Sequence, residues 1–409
     1  MKERIKKKLN EHYFRYLAKE EYRNKLNSFL FFLWKVIYKI SCLLPVKKRK
    51  LLFVANNDFS VPPEYESLKS LAEQKGYVTE FIFKSANSSD VIYKNELKKI
   101  LIEIKFQISY ATSKCTFLYD YYLPAYANYP RKGTRLFQIY HACGAFKKWG
   151  YSTKESSWGL KSNFFEKYNV HKTYTYITTS SPQINHIYAE AFGSEISKVK
   201  SLGVPRTDVF FSKEFVSAQK GELLKKYPEL KSKKLLLWAP TFRGNSIRTS
   251  YNENVLDFSL LKELIGNEYA VLVKLHPHVA KSFSLKDLPD ELQGFVYDIS
   301  KEFQISSALC FSDIVISDYS SLIFEYALFE RPMIFYAYDL EEYNTGRSFY
   351  YDYESFVPGE IVKNTEELAQ AILNAENSFN KEKVVAFRER FMSACDGNST
   401  QRVFDLATE

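Results

Sequence analysis

DIVISDYSSLIFEYALFERPMIFYAYD, residues 313–339, reads as strand, tight turn, helix and second strand. Ile314, Val315 and Ile316 make the short apolar run of a parallel strand covered on both faces, and Met333 to Phe335 make another after Arg331-Pro332 ends the helix. The polar residues able to do chemistry gather at the turn: Asp318, Tyr319, Ser320 and Ser321. Ligands bind at the carboxyl edge of a parallel α/β sheet, where free backbone N–H groups and two hydroxyls cradle phosphate oxygens. Glu325 stands four residues after Ser321, one helical turn further on the same face, placed to accept hydrogen bonds from a ribose diol. An N-cap on an ordinary amphipathic helix is the competing reading of these residues.

Upstream, Lys234 to Trp238 is an apolar strand that runs into APTFRG, so Thr241 and Arg243 sit just past a strand end, where a guanidinium can pair with phosphate. The next strand, Ala270 to Leu275, ends in His276-Pro277-His278. Three strands thus deliver hydroxyl, guanidinium, imidazole and serine groups to one edge, a convergence that a chance placement of any one group does not produce.

The first half of the chain repeats the pattern. Candidate strands at Leu51–Asn56, with Asn57 and Asp58 in the following turn, at Thr79–Phe83, Thr116–Tyr119 and Leu136–Tyr140 alternate with helical stretches such as Glu64–Gln74. That alternation predicts another parallel sheet with helices on both faces. His141 ends the last of these strands, in QIYHACGAFKKWG, followed by a Gly-containing turn and then Lys147 and Lys148. An imidazole at that edge can take a proton from a hydroxyl at neutral pH; a structural histidine is the alternative. SLGVPRTD, residues 201–208, reads as a Gly-Pro turn near the end of the first unit, and the basic stretch Lys213–Lys234 as a helix and connector. This divides the chain into an arm (1–48), a first α/β unit (49–213) and a second (214–409), whose last helix can cross back.

With 409 residues and 45% hydrophobic content, the chain suits two ordinary cores and neither disorder nor a fibre. Residues 1–50 hold 15 basic and 4 acidic side chains, a net of +11, so of the chain's +9 the other 359 residues carry −2. A near-neutral body argues against a nucleic-acid partner, which calls for basic and aromatic residues interleaved through it. The five cysteines show no C-x-x-C pair and the six histidines no zinc-ligand spacing, which predicts a reducing compartment and no structural metal. No Gly-rich dinucleotide fingerprint appears, so no cofactor is expected.

Within the arm, Met1–Lys25 is strongly basic, and Phe29–Val46 is apolar apart from Lys35, Lys39 and two small residues. Ser28, Lys35, Lys39 and Cys42 share one narrow helical stripe, leaving a wide apolar face. A spanning helix needs ~20 mostly apolar residues and seldom tolerates two central lysines. The segment therefore suits the interface of an anionic membrane, or else packing on the protein's own core.

HACGAFKKWG, LGVPRTD, APTFRG, VKLHPH, SDYSSLIFEYALFERPMIFYAYDLEEY, VPGEIV and DGNSTQRV occur in this order over roughly residues 50–405, and together they resemble the CDP-glycerol glycerophosphotransferase family of teichoic acid synthesis. The resemblance implies an α/β GT-B fold of two Rossmann-like domains facing across a cleft, peripheral on the cytoplasmic face of the cell membrane. It implies transfer of glycerol phosphate from CDP-glycerol to a lipid-linked acceptor, an undecaprenyl-diphosphate saccharide, with release of CMP. Ribitol phosphate, or a nucleotide-sugar glycosyltransfer on the same fold, are the alternatives. His141 would be the base and His276 would meet leaving-group charge, while Thr241, Arg243, Ser320, Ser321, Glu325, Asp318 and Arg206 would hold the donor. Asp318 has the alternative of bracing the turn, and Lys147 and Lys148 would lie on the acceptor side. Tyr140-His141-Ala142 stands where polymerising members have Trp-His-Gly, Gly244 where an acidic residue is common, and Cys395 where histidine often precedes Asp-Gly. These departures leave headgroup and acceptor open.

Overall fold

The computed structural model describes residues 25–55, 61–83, 92–154, 162–241, 243, 256–276, 289–346 and 348–409. Residues 1–24 of the arm, Asn56 to Asp58 in the first turn, Gly244, Pro277 and His278 lie outside the described residues.

Residues 25–41 form a helix, α1, that leads into strand β1 (Lys47–Ala55). There follow α2 (Pro63–Gln74), β2 (Val78–Phe83), α3 (Ile92–Thr112), β3 (Ser113–Leu118), β4 (Arg135–Gln138), α4 (Ser162–Lys167), β5 (Tyr176–Thr178), α5 (Asn185–Ala191) and β6 (Val199–Lys200). The six strands pair in parallel in the order β2-β1-β3-β4-β5-β6. Leu51 to Ala55 are all buried, as apolar runs covered on both faces must be. β4 stops two residues short of the run Leu136–Tyr140. Gln138 turns its own Oε1 onto the Tyr140 N–H (3.0 Å), and Tyr140 takes a left-handed φ of 60° that ends strand pairing. β5 and β6, three and two residues long, are too short to show a period.

The second unit runs α6 (Lys213–Lys226), β7 (Lys234–Trp238), α7 (Phe258–Ile265), β8 (Tyr269–Val273), β9 (Val296–Asp298), α8 (Ile305–Phe311), β10 (Ile314–Ser317), α9 (Leu322–Tyr326) and β11 (Met333–Tyr336). α10 (Leu340–Gly346), α11 (Tyr353–Phe356), β12 (Glu360–Val362), α12 (Thr365–Ser378), α13 (Lys381–Met392) and α14 (Ser399–Thr408) complete it. Its parallel sheet has the order β12-β11-β10-β7-β8-β9, which is the Rossmann order, with the crossover reversing between β7 and β10. The fold is thus α/β with two Rossmann-like sheets. In the first sheet the corresponding reversal lies between β1 and β3.

The chain ends on the first sheet. Val403, Phe404 and Ala407 of α14 join the core of Leu51, Phe53 and Phe117, and Asp208 accepts the Ser399 and Thr400 N–H groups (3.0 and 2.7 Å), capping the helix. The linker turn and the last helix are therefore joined by charge-assisted bonds as well as by packing.

α1 has three faces. Leu30, Phe31, Trp34 and Tyr38 are buried against Phe106, Tyr110 and Tyr168, so one face belongs to the core of the first unit. Lys35 and Lys39 are exposed on the second, and Phe29, Phe32 and Ile40 on the third, each more than half accessible. Of the two expectations for this segment, packing on the core holds for the first face. Among the described residues no helix is long and apolar enough to cross a membrane.

Trp34→Ala empties a buried site and is expected to cost about 3–5 kcal/mol in urea unfolding, whereas Phe32→Ala on the exposed face should stay within about 0.5 kcal/mol. Equal effects would mean that α1 does not dock as described.

Candidate active site

Asp318 follows β10 at the switch point, buried to 1% exposure. Its Oδ1 accepts the N–H of Tyr319 (2.6 Å) and of Thr241 (2.8 Å), and its Oδ2 accepts Arg243 Nη1 (2.9 Å). The end of β10 is thereby tied to the segment after β7. Asp339, just past β11, accepts Arg243 Nε and Nη2 (2.7 and 2.9 Å) and the Tyr319 hydroxyl (3.0 Å). The guanidinium also lies 5.1–5.3 Å from the ring centres of Tyr319, Tyr338 and Tyr343. Burial and the Asp339 carboxylate push the Tyr319 phenol well above its usual range.

Arg243 was expected on donor phosphate, but its donors are committed to two carboxylates and the Thr241 carbonyl. A fork so occupied braces the strand ends. The bonds that Asp318 accepts are those of a brace on the turn. The hydroxyl of Ser321 makes no capping bond to its own helix, and Thr241 Oγ1 is buried with no hydrogen-bond partner among the described residues, which leaves both able to meet an incoming oxygen.

Glu325 is buried and accepts Arg206 Nε and Nη2 (2.9 and 3.0 Å). Arg206 also donates to Glu64 on α2 and to the carbonyl of His141 (2.8 Å). Two residues expected on the donor therefore hold each other and stitch the sheets together, Glu64 and Arg206 from the first and Glu325 from the second. The second Glu64 oxygen is buried and has no hydrogen-bond partner among the described residues.

His141 is carried by a loop fixed from both sides. Ser180 Oγ accepts the Gly144 N–H (3.0 Å), and the Tyr188 hydroxyl donates to the Gly144 carbonyl (2.9 Å). Gly144 has a φ of +62°, and a Cβ there would stand 2.3 Å from the Phe324 ring, so only glycine lets α9 come this close. Beyond it, Phe146 stacks on Phe349 and Phe356 (4.2 and 4.6 Å), and Lys148 N–H donates to the Ser348 carbonyl (3.0 Å). The loop from the first sheet is thus bonded to the second.

His276 stands past β8, where the Leu275 N–H donates to Ser300 Oγ (2.9 Å) and the Lys274 N–H to the Trp238 carbonyl (2.9 Å). Two cavities meet at the histidines. One, of about 580 Å³, is lined by His141, Lys147, Lys148, Thr241, His276, Ser320 and Ser321; the other, of about 360 Å³, by Glu64, Arg206, Lys274, Glu325 and again His141, His276, Ser320 and Ser321. Burial lowers the pKa of Lys274, whose ammonium donates to the Ser300 carbonyl (2.7 Å).

Sequence reading passed over Lys274, Glu64, Asp339 and Asp120. Lys274 stands two residues before His276 and shares its strand end, a signal that was available. Asp120 lies past the end of β3, and its Oδ1 is 3.7 Å from His141 Nδ1. An imidazole from each sheet, facing shared cavities beside hydroxyls and an ammonium, can move a proton and meet developing negative charge.

The family model for CDP-glycerol:poly(glycerophosphate) glycerophosphotransferase matches residues 36–409. The chain is 36% identical over 384 residues to the teichoic acid poly(ribitol-phosphate) polymerase of Bacillus spizizenii, covering 93% of this chain and 59% of that protein. It is 34% identical to the teichoic acid ribitol-phosphate primase of the same organism, covering 90% of this chain and 93% of that protein. The wall teichoic acid polymerase TagF, in a crystal soaked with CDPG, superposes with a TM-score of 0.74 at 22% identity, over 91% of this chain and 92% of that one, and so shares the fold.

Arg243→Ala leaves Asp318 buried beside a lost partner and is expected to destabilise by about 3–5 kcal/mol, while Ser321→Ala should fall within about 0.5 kcal/mol of the parent. Chemical denaturation of the two variants checks this; an Arg243 variant as stable as the parent would contradict the bracing role.

Proposed function

The chain belongs to the CDP-glycerol:poly(glycerophosphate) glycerophosphotransferase family, and on that premise we propose that it transfers polyol phosphate from a CDP-linked donor to a hydroxyl of a teichoic acid acceptor, releasing CMP. The observation that carries the reading is the convergence of His141 from the first sheet and His276 from the second on the same two cavities, beside Ser320 and Ser321. His141 takes the acceptor's hydroxyl proton as that oxygen attacks the phosphorus bearing the polyol. The bond to the CMP phosphate breaks and its electron pair leaves with CMP. Thr241, His276, Ser320 and Ser321 meet the charge on the phosphates, since positioning and electrostatics dominate this chemistry. Asp318 and Arg243 keep that edge rigid, Arg206 and Glu325 set the spacing of the sheets, and Lys147 and Lys148 face the acceptor.

Ribitol is the favoured polyol over the glycerol that the family description names, because both reported relatives are ribitol-phosphate enzymes. The acceptor is lipid-linked and the enzyme peripheral on the cytoplasmic face of the membrane. Support comes from the surface of the first unit, where exposed Leu44, Leu101 and Ile108 line a groove that also holds Lys47, Lys50 and Lys105, next in the chain to the exposed Leu43. Replacing Leu43 and Leu101 with Asp should abolish co-sedimentation with anionic vesicles and leave turnover on a water-soluble acceptor intact. Undiminished vesicle binding would move the contact elsewhere.

Mass spectrometry of the purified protein's products, with CDP-ribitol or CDP-glycerol and a short lipid acceptor, tests the reaction. One added ribitol phosphate per CMP released is expected, and release of a nucleoside diphosphate would overturn the reading in favour of glycosyl transfer. Ser321→Ala, which loses a contact to a charged oxygen worth about 1.5–3 kcal/mol, should raise the donor Kd roughly 10- to 150-fold by calorimetry.

A further inference from the structure

β3 and β4 pair in parallel with Leu118 opposite Gln138, so the residues just past each strand end emerge side by side at the edge of the cleft. Asp120 is two residues beyond Leu118 and His141 three beyond Gln138. One buried side chain governs both turns. Gln138 donates through Nε2 to the Asp120 carbonyl (3.5 Å) and the Tyr174 hydroxyl (2.9 Å), and accepts the Tyr140 N–H on its Oε1 (3.0 Å). The Asp120 carboxylate is held by the Tyr121 N–H on Oδ1 (2.8 Å). On the other side, the left-handed Tyr140 stacks its ring on Trp149 (5.5 Å), and Arg206 fixes the His141 carbonyl. With backbone and neighbours set, the imidazole presents Nδ1 to Asp120 Oδ1 at 3.7 Å.

We infer that Asp120 is a positioning residue for His141, holding the imidazole as the Nδ1–H tautomer so that the Nε2 lone pair faces the cavities and takes the acceptor proton. The inference rests on the proposed base role of His141. A carboxylate on one ring nitrogen decides which nitrogen carries the proton and stabilises the imidazolium that forms. The proton passes from the acceptor oxygen to Nε2, the new P–O bond forms, the bond to CMP breaks, and Asp120 remains a carboxylate throughout. The 3.7 Å gap exceeds a hydrogen bond, and both side chains are over a third exposed, so solvent water screens the pair. Substrate filling the cavities displaces that water and strengthens the attraction, and such contacts commonly tighten in the complex.

The other ionisable groups around His141 among the described residues are Tyr119 and Tyr140, whose rings lie 6.1 and 4.4 Å from it, Arg206 on its carbonyl, Glu64, Glu325, Lys274 and His276 across the smaller cavity, and Lys147, Lys148 and Tyr319 across the larger. Asp120 is the carboxylate that meets the ring itself, and Asp120→Asn removes its charge while keeping its size.

The test compares the full chain with Asp120→Asn, Asp120→Glu, His141→Ala and the Asp120→Asn/His141→Ala pair, using CDP-polyol donor and a short lipid acceptor. Asp120→Asn should lower kcat about 10- to 100-fold, less than the roughly 10²- to 10⁴-fold loss on removing the base itself. Donor Kd should not change, and Asp120→Glu should recover part of the rate. In the His141→Ala background the Asn substitution should cost nothing more.

Nitrogen-15 chemical shifts of the His141 ring, assigned by their absence in His141→Ala, give a readout without turnover: Nδ1 protonated in the parent, and a mixture of tautomers in Asp120→Asn. Parental kcat in Asp120→Asn, or unchanged ring shifts, would overturn the inference. Parental turnover in His141→Ala would instead overturn the base role, and the ring shifts would still decide whether Asp120 sets the tautomer.

Discussion

Arg206 is the contact on which the cleft depends. Its guanidinium binds Glu64 on the first sheet's α2, Glu325 on the second sheet's α9, and the carbonyl of His141. One buried cation between two carboxylates and a carbonyl fixes the distance between the sheets and the height of the loop carrying the proposed base. Such a network stands only if all its members are present, because losing one strands a buried charge. The Phe146 stack and the Gly144 contact with Phe324 reinforce the same junction, so the two units meet through a loop that belongs chemically to both.

The second sheet prepares its half by the same device. Arg243 draws the segment after β7 onto the ends of β10 and β11, and the three tyrosines around it keep water from the ion pairs. The positive charge thus shapes the edge, and the groups left for ligand oxygens include Thr241 Oγ1, which has no hydrogen-bond partner among the described residues, and the Ser321 hydroxyl, which does not cap its own helix. Rigid scaffolding behind uncommitted hydroxyls is the arrangement that electrostatic preorganisation requires.

Much of this was legible in the sequence because parallel strands covered on both faces are unbroken apolar runs. KLLLW is a strand as read, and YAVLV, IVIS and MIFY are strands within two residues of the bounds read for them, so a His, Thr or Ser just after one stands out. The roles of the charged residues were not legible, because each depends on a partner far along the chain. Arg243 and Asp339 are 96 residues apart, Arg206 and Glu325 119, and Glu64 and Arg206 142. No local pattern says that a guanidinium near a strand end already has its carboxylates. α1 failed differently. Its wide apolar surface is one feature on a helical wheel but two in the fold, a face in the core and a face left outside.

The central claim is that donor phosphates sit on the second sheet's edge between the two histidines. A crystal structure of the protein with a bound CDP-polyol tests it most directly. The account predicts diphosphate oxygens within hydrogen-bond distance of Thr241, Ser320, Ser321 and His276, and the polyol-bearing phosphorus facing His141, with Arg243 still clamped between Asp318 and Asp339. A diphosphate bound by a released Arg243, or lying away from both histidines, would contradict it.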